Sequence, residues 1–144
     1  MTDDPYAGLP KSEFAFPGPL RDALVAAVLS GAKTSTTGLL AEYRKLGEEL
    51  PAPGDRQAVV DSDDRPVAVI EVTGVRVVPL GEVGLQHALD EGEGYRTVAE
   101  WRATHEGFWR SPELLEVLEE PEFTVDDSTE VVLERFRVVV APGR

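Results

Sequence analysis

Residues 31–36 read Gly-Ala-Lys-Thr-Ser-Thr, and they mark a change of backbone conformation along the chain. The residues before them predict a helix that faces the core, because a proline stands in its first turn and apolar residues recur every four positions. The apolar stripe is expected at Leu20, Leu24 and Val28, with Val25 and Leu29 beside it. Gly31 stands where a glycine commonly ends a helix, and the β-branched residues at 34–37 favour extended backbone. The segment therefore predicts a turn between a helix and a short strand.

The rest of the chain mixes short helices with strands rich in β-branched residues. Strands are expected at 56–61, 66–79 and 130–140, and short helices at 39–46, at 83–90, after the capping box Thr97–Glu100 and after Ser111. Few strand–helix–strand crossovers are available, so this order disfavours a doubly wound parallel sheet. It predicts an α+β fold in which helices flank a small, mostly antiparallel sheet or β-barrel. Residues 1–13 lack periodicity and are expected to form a flexible N-terminal arm ahead of a single domain at 14–140.

Acidic residues dominate the composition, with 27 Asp and Glu against 14 Lys and Arg and a formal net charge of −13. The region from 81 to 130 holds 14 acidic and only 3 basic residues, so the two flanking portions are close to neutral. Non-specific binding to a nucleic-acid backbone needs clustered cations. The charge therefore favours a nucleoside, or a short contact with single-stranded RNA, over a long strand.

The 144 residues contain no cysteine and only two histidines. Disulfides, thiolate zinc sites and cysteine nucleophiles are thereby excluded, and a metal site built on several histidines is disfavoured. The acidic N-terminus does not resemble a secretory signal, and no apolar run approaches the roughly 20 residues of a membrane span. We therefore expect a cytoplasmic protein with no membrane partner, no metal and no cofactor.

The segment Gly31–Thr36 is not a phosphate-binding P-loop, because the glycine-rich lead of that motif is missing and the glycine here ends a helix. Instead, Gly31-x-Lys33-x-x-Thr36 after an amphipathic helix resembles the signature of the ASCH family, the activating-signal-cointegrator homology domain. Further matches are Gly54-Asp55, Ile70-Glu71-Val72-Thr73, Glu91-Gly92-Glu93-Gly94, the helix of Trp101 and Glu134-Arg135-Phe136. The resemblance covers residues 14–140.

This resemblance implies a PUA-like β-barrel with flanking helices and a nucleoside- or RNA-sized cleft at the G-x-K-x-x-T segment. Short members of the family are similar to amidohydrolases that deacylate N4-acetylcytidine with the motif lysine, the motif threonine and a glutamate. By the motif, the first two match Lys33 and Thr36. In those enzymes the glutamate follows a short helix after the central strand, and counting on from Ile70-Glu71-Val72-Thr73 without a gap places it at Glu91.

Two other activities stay open. Longer family members, nearer this length, resemble metal-independent ribonucleases that act on single-stranded RNA, and Tyr43 and Ser128 are the candidates for that chemistry. A third hypothesis is a non-catalytic module that binds RNA or a modified base, as many PUA-like domains do. The three hypotheses predict deacylation, RNA cleavage and binding without turnover.

Substrate contacts are expected from five residues around the predicted catalytic set: Gly31, Ser35, Tyr43, Glu71 and Arg135. An aromatic ring such as Tyr43 can stack on a base for roughly 1–3 kcal/mol. Glu71 either faces the cleft or pairs with Arg76. Arg135 either lines the cleft, where it can contact phosphate, or lies in a surface ladder with Arg137.

The chemistry favours the amidohydrolase among the three. Amide hydrolysis needs an activated nucleophile, a proton donor and stabilisation of the oxyanion. The threonine can be the nucleophile or position a water, the lysine can be the base or the stabilising cation, and the glutamate can shuttle the proton or hold the exocyclic amine. RNA cleavage usually relies on histidine. His105 is expected on an apolar helix face with Trp101, and His87 lies outside the motif, so neither is predicted in the site.

Overall fold

The computed structural model describes residues 4–140, in which five strands form one mixed sheet. In chain order the strands are β1 (Lys11–Ser12), β2 (Ser35–Leu39), β3 (Arg56–Val60), β4 (Pro66–Pro79) and β5 (Glu130–Val140). Their spatial order is β1-β3-β4-β5-β2, with β1 parallel to β3 and every other neighbour antiparallel. The long strand β5 therefore lies between β4 and the strand that carries the motif threonine.

Helices flank the sheet in the positions that the sequence predicts. They are α1 (Pro19–Ser30), α2 (Leu40–Leu46), α3 (Leu85–Asp90), α4 (Val98–Trp109) and α5 (Pro112–Leu118), with a 3₁₀ turn at Leu80–Glu82. At the start of α4, the Thr97 hydroxyl accepts the backbone N–H of Glu100 at 3.1 Å, as the predicted capping box requires. The Glu100 carboxylate accepts the N–H of Arg96 instead of that of Thr97. No helix of residues 4–140 is long and apolar enough to cross a membrane.

Two apolar clusters hold the layers together. The larger cluster joins α3, α4 and α5 to β2 and β5, and its fully buried members include Leu39, Leu80, Trp101, Leu114 and Val131. The smaller cluster packs α1 against β3, β4 and β5 and consists of Phe14, Val25, Val28, Val59, Ala68, Ile70 and Phe136. The site described below lies where the α1–β2 turn meets the end of α3, between these two clusters.

The buried stripe of α1 differs from the predicted one. Val25 and Val28 are buried, but Leu20 and Leu29 are 47% and 39% exposed. The third buried position of the helix is Arg21, whose guanidinium donates to the carbonyl oxygens of Phe14 (3.2 Å) and Ala15 (2.7 Å) and to that of Asp61 (3.4 Å). An arginine with these partners can be buried, so the helix is rotated from the face that hydrophobicity alone indicates.

The structure also differs from the prediction at the N-terminal arm and in the closure of the sheet. The predicted arm at 1–13 contains the short strand β1, in which Lys11 and Ser12 pair with Ala58 and Val59 of β3. The carbonyl oxygen of Pro10 accepts the N–H of Ala58, and Lys11 forms an ion pair with Asp64. Residues 1–3 of the arm lie outside the described residues. Within residues 4–140, β1 and β2 stand at opposite edges and do not pair with each other. The α+β class is confirmed, while closure of the sheet into a barrel is not.

Candidate functional site at the α1–β2 turn

The α1–β2 turn places Lys33 inside the protein. Gly31 has a φ of +85° and ends α1, with its N–H on the carbonyl oxygen of Val28 at 3.1 Å. The backbone N–H of Lys33 then donates to the carbonyl oxygen of Ala27 at 3.0 Å. As a result the Lys33 side chain points inward and is only 1% exposed.

The segment after α3 packs directly on this turn. Gly92 has a φ of +70°, and a Cβ atom built on it would stand 2.2 Å from the carbonyl oxygen of Ala32. Only glycine allows so close an approach of two backbones. The contact brings the flanking residues Glu91 and Glu93 to Lys33.

The Lys33 amine forms ion pairs with both carboxylates. It lies 3.7 Å from Glu91 Oε1 and 3.4 Å from Glu93 Oε2. The Phe14 ring is a third neighbour, with its centroid 5.8 Å from the amine. The structure thus brings together two residues of the predicted catalytic set, Lys33 and Glu91, and adds Glu93.

Glu91 is the centre of a buried hydrogen-bond network, and its side chain is 1% exposed. Its Oε2 accepts from the Thr37 hydroxyl at 2.6 Å and the Trp101 indole N–H at 2.7 Å, and lies 3.3 Å from His87 Nε2. Its Oε1 lies 3.1 Å from His105 Nε2. Both oxygens are therefore fully engaged with protein groups.

These contacts set the charges in the network. Burial raises the pKa of the Glu91 carboxyl, but the hydrogen bonds of His105 and His87 and the charge of Lys33 outweigh burial and hold that pKa well below its ordinary value. Burial lowers the pKa of the His105 ring, yet its contact with Glu91 raises it overall. Burial also raises the pKa of Glu93, against the opposing effect of Lys33. Glu91 is thus an anion, and Glu93 is the carboxyl that takes up a proton more readily.

The two threonines of β2 have different partners. Side chains alternate along a strand, so Thr37 faces α3, where its hydroxyl contacts Glu91 and lies 2.7 Å from His87 Nε2. Thr36 faces the other side and pairs across strands with Glu134 of β5. Among residues 4–140, the Thr36 side chain takes part in no hydrogen bond. The predicted catalytic threonine therefore does not contact the predicted catalytic glutamate.

Glu134 is a second buried carboxyl, and sequence reasoning did not place it in the site. It is 7% exposed, and its Oε1 is buried without a hydrogen-bond partner among the described residues. Burial, followed by the negative charge of Asp55, raises the pKa of Glu134 to about 7, although Lys33 opposes the effect. Thr36 of the predicted set thus lies across from a buried carboxyl with a raised pKa, and the charge of Lys33 reaches the same carboxyl.

Three of the predicted substrate contacts lie close to this region. Gly31 ends α1, and Ser35 is buried with its hydroxyl donating to the His87 carbonyl oxygen at 3.1 Å, which fastens α3 to β2. The Tyr43 ring packs over Gly38, where an added Cβ would stand 3.2 Å from the ring. Burial and then the charge of Glu134 raise the pKa of the Tyr43 hydroxyl well above its ordinary value.

The remaining candidates have surface partners. Glu71 forms ion pairs with Arg56 (3.1 Å) and Arg137 (3.0 Å) instead of Arg76, and Arg135 pairs with Asp90 at 2.8 Å. The two arginine partners of Glu71 stand on neighbouring strands and form a charged ladder on the sheet, whereas the partner of Arg135 is the last residue of α3. Ser128 is exposed, and its hydroxyl donates to Asp126 at 2.7 Å.

The sequence predicts neither histidine in the site, but both contact Glu91. A signal for His87 was present, because it precedes Glu91 by four residues on α3, a spacing at which helical side chains meet. His105 has no such signal. It stacks on Trp101 at 4.5 Å between ring centroids, as its apolar helix face predicts, and reaches Glu91 only through tertiary packing.

The arrangement can stabilise negative charge and move a proton. A buried amine held by two carboxylates offers a fixed cation, and Glu93 and Glu134 are carboxyls with raised pKa values on either side of it. In residues 4–140, no group of three or more His, Cys, Asp or Glu side chains is arranged to hold a metal ion. The concave surface beside α5, lined by Glu119, Pro121 and Phe123, contains none of the predicted site residues.

Comparison with known proteins supports the resemblance found in the motif. The fold is similar to the crystal structure of the ASCH domain from Lactobacillus crispatus JV V101, with a TM-score of 0.79 and 27% identity over 94% of this chain and 82% of that one. A protein from Enterococcus faecalis V583 gives a TM-score of 0.72 and 28% identity over 83% of this chain and 68% of that one. A search among curated proteins finds no match.

The model of the ASCH domain matches residues 13–140, which begin one residue before the predicted domain. That span contains the α1–β2 turn, the Glu91–Glu93 segment and β5. On this match the chain belongs to the ASCH domain family.

Proposed function

We propose that the protein is a metal-independent amidohydrolase that removes the acyl group from an N4-acylated cytidine or a related nucleoside. The observation that carries this proposal is the buried Lys33 amine, held 3.7 Å from Glu91 and 3.4 Å from Glu93 at the start of the motif strand. A buried cation held by two acids is costly to maintain, which favours a catalytic role over a structural one.

Lys33 serves as the cation that stabilises the oxyanion. When water adds to the acyl carbon, negative charge develops on the carbonyl oxygen, and a pre-oriented ammonium in a buried site lowers the barrier without reorganising. Glu91 holds this amine in place. Since both Glu91 oxygens are engaged and its pKa is lowered, Glu91 is a positioning residue in this proposal and not the proton shuttle.

Glu93 and Thr36 complete the reaction. The Thr36 hydroxyl orients the attacking water, and Glu93 accepts the water's proton. As the C–N bond breaks, Glu93 returns a proton to the exocyclic N4, and the products are the nucleoside and a carboxylic acid. The raised pKa of Glu93 suits both transfers.

Charge supports a nucleoside over a strand of RNA. The net charge is −13, and α3, α4 and α5 lie in the acidic region from 81 to 130. These helices pack beside the Glu91 network and would repel a long polyanion.

The test measures hydrolysis of N4-acetylcytidine and cleavage of labelled single-stranded RNA in parallel, each with and without EDTA. We expect deacylation that EDTA leaves unchanged and RNA that stays intact. Lys33→Met keeps the aliphatic volume but removes the charge, and we expect it to lower kcat/KM at least 100-fold.

One further variant is a control, and a second tests the motif threonine. Lys11→Ala removes an exposed lysine paired with Asp64 and is expected to keep full activity. Thr36→Val removes a hydroxyl without a hydrogen bond in the described residues, so it is expected to keep its melting temperature and lose activity. Intact N4-acetylcytidine with cleaved RNA would overturn the proposal in favour of a ribonuclease, and binding without turnover would favour a non-catalytic module.

A further inference from the structure

Glu134 stands out among the buried polar groups of residues 4–140, because its Oε1 is the one buried side-chain oxygen or nitrogen there without a hydrogen-bond partner. A buried polar atom without a partner costs about 1–3 kcal/mol. Glu134 is only 7% exposed and lies on β5, between β4 and β2, directly opposite Thr36 of β2. Opposed side chains of an antiparallel pair have Cβ atoms about 4.5–5.5 Å apart. The orphan carboxyl therefore lies next to the threonine of the motif.

The groups facing Glu134 do not neutralise it by direct contact. The charge of Lys33, from the α1–β2 turn, opposes the rise in the pKa of Glu134, but the Lys33 amine forms its ion pairs with Glu91 and Glu93. Asp55, before β3, is an acid that opposes ionisation of Glu134. Tyr43 of α2 carries its own proton at neutral pH because its pKa is raised. With these neighbours Glu134 is protonated in half of the molecules near pH 7.

A protonated carboxyl is a paired donor and acceptor, since its O–H donates and its C=O accepts. A cytosine ring presents the complementary pair on one edge, where N3 accepts and the N4–H donates. An ionised carboxylate could accept from N4–H but would repel the lone pair of N3.

We propose that Glu134 recognises the base, through two hydrogen bonds from its carboxyl group to N3 and N4–H of a cytosine-type nucleobase. This inference rests on the proposed function and deepens it by assigning the residue that selects the substrate. It places N4, and the acyl group attached to it, beside Thr36. The orphan oxygen then has a partner only when the substrate is bound.

The test measures binding of cytidine, the product nucleoside, by isothermal titration calorimetry, so that no turnover interferes. For the wild type we expect Kd to rise about tenfold between pH 6 and pH 8, as the protonated fraction of a group with a pKa of about 7 falls. Glu134→Gln keeps one donor and one acceptor at every pH. We expect it to match the wild type at pH 6, to bind more tightly at pH 8 and to lose the pH dependence.

Base analogues test the two hydrogen bonds separately. We expect the wild type to bind cytidine about tenfold more tightly than 3-deazacytidine, which lacks the N3 acceptor, and than zebularine, which lacks the N4 amino group. Glu134→Leu is expected to bind all three with similar, weak affinity. Circular dichroism confirms that each variant is folded.

The outcomes separate this inference from the proposed function. If the wild type binds cytidine and deacylates N4-acetylcytidine, but neither Glu134 variant changes the analogue preference or the pH profile, the inference is overturned and the function stands. A pH dependence that persists in Glu134→Gln would assign it to another titrating group, such as Glu93 or His105, and also overturn the inference. If the wild type neither binds cytidine nor hydrolyses its acyl derivative, both fall.

Discussion

Two carboxyl groups on either side of the motif strand, Glu91 and Glu134, show how different surroundings give one residue type opposite properties. Both are buried, with 1% and 7% of the residue exposed. Glu91 has four hydrogen-bonding neighbours and an ion pair, and its pKa is lowered. Glu134 has an oxygen without a partner, and its pKa is raised to about 7.

The difference shows that burial alone does not determine charge. Removing a carboxyl from water always disfavours its ionised form, and only donors and cations nearby reverse that cost. The side of β2 that faces α3 supplies both, whereas the side that faces Glu134 supplies neither by direct contact. Glu91 is therefore suited to stabilise the fold, and Glu134 is suited to the ligand-binding role that we propose for it.

The largest effect is expected from truncating Glu91. Glu91→Ala leaves Lys33, the Trp101 indole N–H and the Thr37 hydroxyl without a shared acceptor, and breaking a buried ion pair costs about 3–5 kcal/mol. We expect that loss in the free energy of unfolding, measured by urea titration with tryptophan fluorescence. The matched variant Glu134→Ala removes a carboxyl whose Oε1 has no partner, and we expect a much smaller loss. Equal losses at both positions would contradict the comparison.

The pH dependence of stability tests Glu134 next. Its folded pKa of about 7 exceeds the ordinary value of 4.5, so the folded state holds the proton more tightly than the unfolded state does. The stability that this proton provides is fully present below pH 4.5 and is lost as the pH rises through 7. Glu134→Gln does not titrate, so relative to the wild type it should gain about 2–3 kcal/mol between pH 4.5 and pH 8. Urea titrations of both proteins at several pH values measure this gain, and parallel curves would show that folding does not raise the pKa of Glu134.

The smallest effect distinguishes the two threonines. Thr37→Val removes a hydrogen bond to a buried carboxylate, and we expect it to lower the free energy of unfolding by about 1–2 kcal/mol. Thr36→Val makes the same change where the hydroxyl has no hydrogen bond in the described residues, and we expect less than about 0.5 kcal/mol. Thermal denaturation of the pair checks the order. A larger loss at Thr36 would show that its hydroxyl is structural and would remove it from the proposed reaction.

Local patterns in the chain were sufficient to predict most secondary structure. The helix before Gly31, the strands on either side of residues 61–65 and the long strand β5 all stand where spacing, turn residues and β-branched composition indicate. Proximity of Lys33 and Glu91 followed from the family resemblance, and the structure places them 3.7 Å apart.

Other features depended on contacts between distant parts of the chain. The rotation of α1 that buries Arg21 depends on carbonyl groups at Phe14, Ala15 and Asp61, which no helical periodicity can reveal. His105 reaches Glu91 because α4 packs beside α3, and a lone histidine on an apolar face gives no sign of such a partner. Each depends on side-chain pairing across elements and not on local propensity.

The sequence by itself determined the family, the α+β class, the order of the elements and the position of Lys33 at the end of a helix, because these depend on interactions within a few residues. Only the tertiary structure decided which threonine contacts Glu91, which histidines join it and which carboxyl is left without a partner. The physical reason is that charge and hydrogen bonding inside a protein depend on the groups that packing brings within about 3 Å. For Glu91 and Glu134 those groups come from strands and helices far apart along the chain.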